Sequence, residues 1–98
     1  MIMGKVVGTV VATQKDSGLE GYKLQIVQSL ELPSMSPKNT FLVAVDGVGA
    51  GEGEVVLCCS GSSARMTSTT ENRPVDAVIM AIVDSAEVEG QEVYRKKG

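Results

Sequence analysis

The chain has 98 residues, enough for one domain (1–98), because separate cores arise only well beyond this length. Nine basic residues against twelve acidic ones give a net charge of −3 and a pI near 4.8, the wrong sign for a surface that neutralises phosphates, so nucleic acid is not an expected partner. With no histidine, Ser-His-Asp and Cys-His catalysis, histidine metal ligation and the usual pH switch are excluded.

Twenty-five of the 98 residues are valine, isoleucine or threonine, in short runs separated by glycine, proline and serine, which is an all-β signature. The first strand is expected over about Ile2 to Thr13, with Gly4 and Gly8 marking bends or close approaches. After the loop Asp16 to Gly21, a second strand near Tyr22 to Gln28 completes a hairpin. Pro33 and Pro37 predict an irregular stretch from Leu32 to Asn39, since each lacks an amide donor and restricts the residue before it. A third strand follows at Phe41 to Val45. Then comes Asp46 to Glu54, with glycine at 47, 49, 51 and 53, and a fourth strand at Val55 to Ser60. Ser62 to Met66 is expected to form one capped helical turn, and Pro74 to start a second. A fifth strand spans about Ala77 to Val83, and a weaker sixth, near Glu87 to Tyr94, turns at Gly90 ahead of a basic tail.

Cys58 and Cys59 are adjacent within an apolar run. Neighbours on a strand point to opposite faces, so a mutual disulfide would need a distorted backbone; both are read as reduced packing residues, which fits the cytosol. The first residues lack the pattern of a secretory signal, and no apolar run approaches the ~20 residues of a membrane span, so a soluble intracellular protein without membrane partners is expected.

Phe41 to Val45, Val55 to Cys59 and Ala77 to Val83 are apolar at consecutive positions, whereas a strand with one wet face alternates. Two explanations compete. Other copies of the chain cover the outer face, which the lack of an amphipathic helix favours, or these residues close the barrel ends and lie under the polar loops.

The glycine-rich loop does not fit a phosphate site: Glu54 stands where both the P-loop and the dinucleotide pattern break, and Glu52 and Glu54 repel phosphate. Asp46, Glu52 and Glu54 do not match the spacing of an EF-hand and are read as a solvated turn. Gly61 to Arg65 is read as a cap followed by an arginine that pairs with a neighbouring subunit, in preference to an anion-binding nest. Tyr22, Phe41 and Tyr94 are the only aromatic residues, too few for stacking on single-stranded nucleic acid.

The blocks Gly4 to Lys15, Leu19 to Leu24, Val43 to Asp46 continuing through Val48 to Glu54, Gly61 to Arg65, Val75 to Ala77 and Ile82 to Asp84 resemble, in order and over nearly the whole chain, the EutN/CcmL family of bacterial microcompartment vertex proteins. Gly47 departs from a family that often has a bulkier residue there. The resemblance implies a small, roughly five-stranded barrel similar to the oligonucleotide-binding fold, with one or two helical turns and a C-terminal strand extension. It further implies a homopentamer that caps the five-fold vertices of a cytoplasmic microcompartment shell around an enzyme pathway, beside hexameric shell proteins, with no catalytic residues, cofactor or metal.

On the same resemblance, Val48, Gly49, Ala50, Gly51 and Glu52 lie near the five-fold axis, and Glu54 and Arg65 are candidates for the subunit interface. Five inward Glu52 carboxylates at ~8 Å would repel by about 0.5 to 2 kcal/mol per neighbouring pair. Glu52 and Glu54 are therefore expected to splay away or to pair with Arg65 or a lysine across the interface. The competing readings are a monomeric barrel that binds single-stranded nucleic acid, opposed by acidity and scarce aromatics, and a small thiol or carboxylate enzyme, opposed by the missing histidine.

Overall fold

The computed structural model describes residues 1–97. The β-branched runs form strands β1 (Ile2–Val10), β2 (Leu24–Glu31), β3 (Ser36–Asp46), β4 (Val55–Ser60), β5 (Ala77–Ile82), β6 (Ser85–Val88) and β7 (Gln91–Arg95). The first five close into a barrel in the order β1-β2-β3-β5-β4, and β6 pairs with β7 as a separate hairpin. All barrel pairs are antiparallel except β3 with β5, which run parallel through Val45 opposite Val78 and Asp46 opposite Ile79. Every barrel strand pairs on both sides, β3 with β5 over two residues only, and the architecture is the five-stranded, OB-type barrel that the sequence leads one to expect.

Alternation decides what fills it. Val6, Val27, Ala44, Val56, Cys58, Ala77 and Ile79 point inward and are buried together, with Ile2, Leu42 and Ile82 packed against them. A register shift opposite Leu57 and Cys58 leaves Met80 as the extra residue of β5, so that Ile79 and Ile82 both face the core. Each fully buried valine or isoleucine contributes about 1.5–3 kcal/mol relative to exposure.

Several boundaries differ from the sequence expectation. β1 stops at Val10, and β2 runs from Leu24 to Glu31. The proline segment is shorter than expected. Only Leu32 to Met35 turns, and β3 already starts at Ser36 with Pro37 opposite Leu30. Pro37 is tolerated because β3 pairs with β5 only at Val45 and Asp46, leaving the rest of one edge without partners that need its amide. Of the helical turns, Gly61–Arg65 forms as a 3₁₀ turn without a side-chain cap, and no turn starts at Pro74. The second is Ser17–Leu19, where the Asp16 carboxylate accepts from the Gly18 amide at 2.8 Å. The weak sixth strand is in fact two, joined by Glu89 and Gly90 at φ 51° and 80°, the paired positive values of a type I′ hairpin.

The apolar runs are covered mainly from within the chain. Val45 and Val78 lie under Ala64 and Val75 of the loop after β4, with Leu19 and Tyr22 beside them, and the Tyr22 hydroxyl donates to the Thr69 carbonyl. Val55 and Val83 pack with Leu30, Met35 and Tyr94. The second of the two explanations therefore accounts for β4 and β5. Only β3 keeps bare apolar positions, Phe41 at 53% and Val43 at 50% exposure.

Gly4 marks a close approach. A Cβ there would lie 2.4 Å from Val27 Cγ1 and 2.9 Å from the Gln28 carbonyl oxygen, and the backbone atom cannot retreat. Gly4→Ala is expected to cost about 1–3 kcal/mol by overpacking. Gly8→Ala, whose Cβ would meet only the Ile26 side chain at 3.4 Å, should cost less in parallel urea titrations.

Candidate assembly site

The loop between β3 and β4 is held at three points. Asp46, the last residue of β3, accepts the Val48 and Gly49 amides on Oδ1 at 3.0 and 2.9 Å. Gly49 takes φ +74°, a conformation that a Cβ would strain. Burial works against the Asp46 carboxylate, but bonds from the backbone amides of Val48, Ala50 and Gly49 and from Gln25 outweigh it and hold its pKa below the ordinary value. In the middle, the Ala50 methyl enters the barrel core and its carbonyl accepts from Gln25 Nε2 at 2.8 Å. At the far end the Gly53 amide donates to the Val6 carbonyl at 2.8 Å, and the Val6 amide donates to the Glu54 carbonyl at 3.0 Å, which stitches the loop to β1.

These contacts sort the five residues singled out from the sequence. Val48, Gly49 and Glu52 are exposed, Gly51 is half-buried and Ala50 is buried, so Ala50 adds almost nothing to the outer surface of the loop. A Cβ at Gly47 would lie 3.1 Å from the Ile79 carbonyl oxygen, so a bulkier residue would require that strand to give slightly.

Glu54 finds its partners within its own chain: Oε1 accepts the Gly51 amide at 2.6 Å and Oε2 pairs with Lys96 Nζ at 2.7 Å. Arg65, exposed, donates from Nη1 to the Val75 carbonyl at 3.0 Å and so ties the 3₁₀ turn to the loop before β5. The structure does not bring these two residues together by any contact within the chain. What sequence reasoning missed is Lys96, taken only as part of a basic tail, and Gln25, one of two glutamines in β2. The alternation of β2 places Gln25 on the same face as Val27 and was the available signal.

The Lys96 ammonium, the Gly51 amide and the Lys96 charge hold the Glu54 carboxyl below its ordinary value of 4.5. A depressed acid favours the folded contact above that value and loses it as the pH falls through the lowered pKa. Acidification through the lowered pKa, below pH 4.5, is therefore expected to free the Gly51 amide and the Lys96 ammonium, seen as shifts of both resonances, and Glu54→Gln should reproduce part of that change at neutral pH.

Burial, then the neighbouring Cys59, pushes the Cys58 thiol up to about 11, so it is not a thiolate nucleophile at neutral pH. The barrel interior is filled by side chains, so what the molecule offers to other molecules is its outside: the braced loop and the bare apolar strip.

The comparisons agree. The family described as "Ethanolamine utilisation protein EutN/carboxysome" matches residues 1–84. The carboxysome shell vertex protein CcmL of Gloeobacter violaceus is 42% identical over 99% of this chain and 96% of its own length, and its solved structure superposes with a TM-score of 0.94 over all of both chains. The shell vertex protein EutN of Escherichia coli is 40% identical over 98% of this chain and all of its own length. The solved pentameric microcompartment shell protein GrpN of Rhodospirillum rubrum is 43% identical, covers 90% of this chain and 100% of its own, and gives a TM-score of 0.81. The chain belongs to the EutN/CcmL family of microcompartment shell vertex proteins, whose role is structural and not enzymatic.

Proposed function

We propose that the whole chain acts as one vertex domain, assembles as a homopentamer and fills the five-fold positions of a bacterial microcompartment shell, flanked by hexameric shell proteins. The supporting observation is the strip that the chain cannot cover itself. On the outer wall of β2 and β3, Val43 stands opposite Ile26 and Phe41 opposite Gln28, next to the half-buried Leu24. Burying the half of Phe41 and Val43 that is still exposed yields about half of the 1.5–3 kcal/mol of full burial per side chain, and a ring repeats that gain at each of its contacts. The relative described as pentameric supports five copies.

In such a ring the loop with Val48, Gly49, Gly51 and Glu52 lies toward the five-fold axis, with Ala50 behind it, and exposed Arg65 reaches the next subunit. Glu54 is already engaged by Lys96, which leaves Glu52 as the acid that must splay from the axis. Native mass spectrometry tests the assembly: the expected species has five times the chain's 10.3 kDa, and a single-chain species at micromolar concentration overturns it. Co-sedimentation with hexameric shell proteins tests the flanking contact.

A further inference from the structure

Gln25 is 1% exposed, a costly place for an amide unless each of its polar groups is paired. Each one is. Nε2 donates to the Ala50 carbonyl at 2.8 Å and to Asp46 Oδ2 at 3.4 Å, while Oε1 accepts the Thr9 hydroxyl at 2.9 Å. The amide has one sensible orientation, because the reverse would set its oxygen against both a carbonyl and a carboxylate. The same Asp46 carboxylate accepts the Val48 and Gly49 amides. One side chain from β2 therefore reaches the loop directly at Ala50 and, through Asp46, at Val48 and Gly49. Backbone conformation alone does not specify this shape, since a segment with four glycines has many alternatives of similar energy.

We propose that Gln25 is the positioning residue of the 47–53 loop: by drawing the Ala50 carbonyl toward the barrel and orienting Asp46, it selects the loop conformation that presents Val48, Gly49 and Glu52 outward. The bearing of this on an axial opening rests on the pentamer reading, but the positioning itself belongs to the single chain. A residue needed only to fill space would be replaceable by methionine, which has nearly the same length and no donor.

Amide hydrogen exchange on the full chain tests this, comparing Gln25→Met with the unaltered protein at Val48, Gly49 and Gly51 and at strand amides of Val27 and Val56. The loop amides are expected to exchange about tenfold faster or more, the scale of one or two lost hydrogen bonds, with a smaller change in the strands. Unchanged loop rates, or a rise by the same factor in loop and strands, overturn the proposal. Should Gln25→Met fail to fold, Thr9→Val removes only the hydroxyl that orients the amide. A loop-confined rise supports the proposal and loop rates equal to the unaltered protein's refute it. A single-chain mass for the unaltered protein would sink the pentamer reading and leave this comparison intact.

Discussion

Val43→Asp is expected to leave the barrel folded and the chain monomeric. Val43 is half exposed on the outer wall of β3, so in a lone chain the carboxylate stays hydrated and surface changes of this kind shift stability by about 0.5 kcal/mol or less. In the proposed ring the same carboxylate would be buried without a partner, at a cost of several kcal/mol in every contact. Native mass spectrometry should show the five-chain species replaced by single chains, while far-ultraviolet circular dichroism stays near that of the starting protein and the thermal midpoint falls only by the stabilisation that assembly supplied. A five-chain complex that survives the substitution would move the interface away from β2 and β3. Phe41→Ser probes the same strip more gently and should weaken assembly without abolishing it.

The second large effect is expected inside the barrel. Ile79 is fully buried, sits beside the bulge of β5, stands opposite both Asp46 and Cys58 across the sheet, and accepts the Gly47 amide on its carbonyl at 3.3 Å. Ile79→Ala removes three carbons and leaves a hole in a closed barrel whose strands cannot collapse independently, at about 2–5 kcal/mol. For a domain of this size that lowers the thermal midpoint by roughly 10–25 °C. Because Ile79 lies opposite Asp46 and holds the Gly47 amide, the loss should also speed loop exchange. Val11→Ala, at an exposed position after β1, should change neither.

How far the molecule was readable before its fold was known depends on the kind of signal. β4 was placed to the residue, because its apolar run is bounded by a glycine-rich loop on one side and Gly61 on the other. β3 was started too late at Phe41, because proline was weighed as a strand breaker when only one side of that strand is paired. For the cover over β4 and β5 the sequence favours other copies over the polar loops, since it offers no amphipathic helix of useful length. Irregular segments do that work instead, through small contacts at Ala64 and Val75 that carry no periodicity. In the candidate site, the loop was conspicuous by its alternating glycines, but what shapes it was not. Gln25 and Lys96 lie 25 and 42 residues away from Ala50 and Glu54 in the chain, and only the pairing of β2 with β3 and the return of the β6-β7 hairpin bring them there.

The buried Ala50 makes the glycine loop a stopper for one end of the barrel as well as an outward-facing surface. Anyone redesigning the surface that this loop presents therefore has unequal freedom along five adjacent residues. Val48 and Glu52 can be exchanged for side chains of other size or charge at little thermodynamic risk, whereas enlarging Ala50 would push the plug out of its seat and shift the exposed residues by loosening the wall behind them.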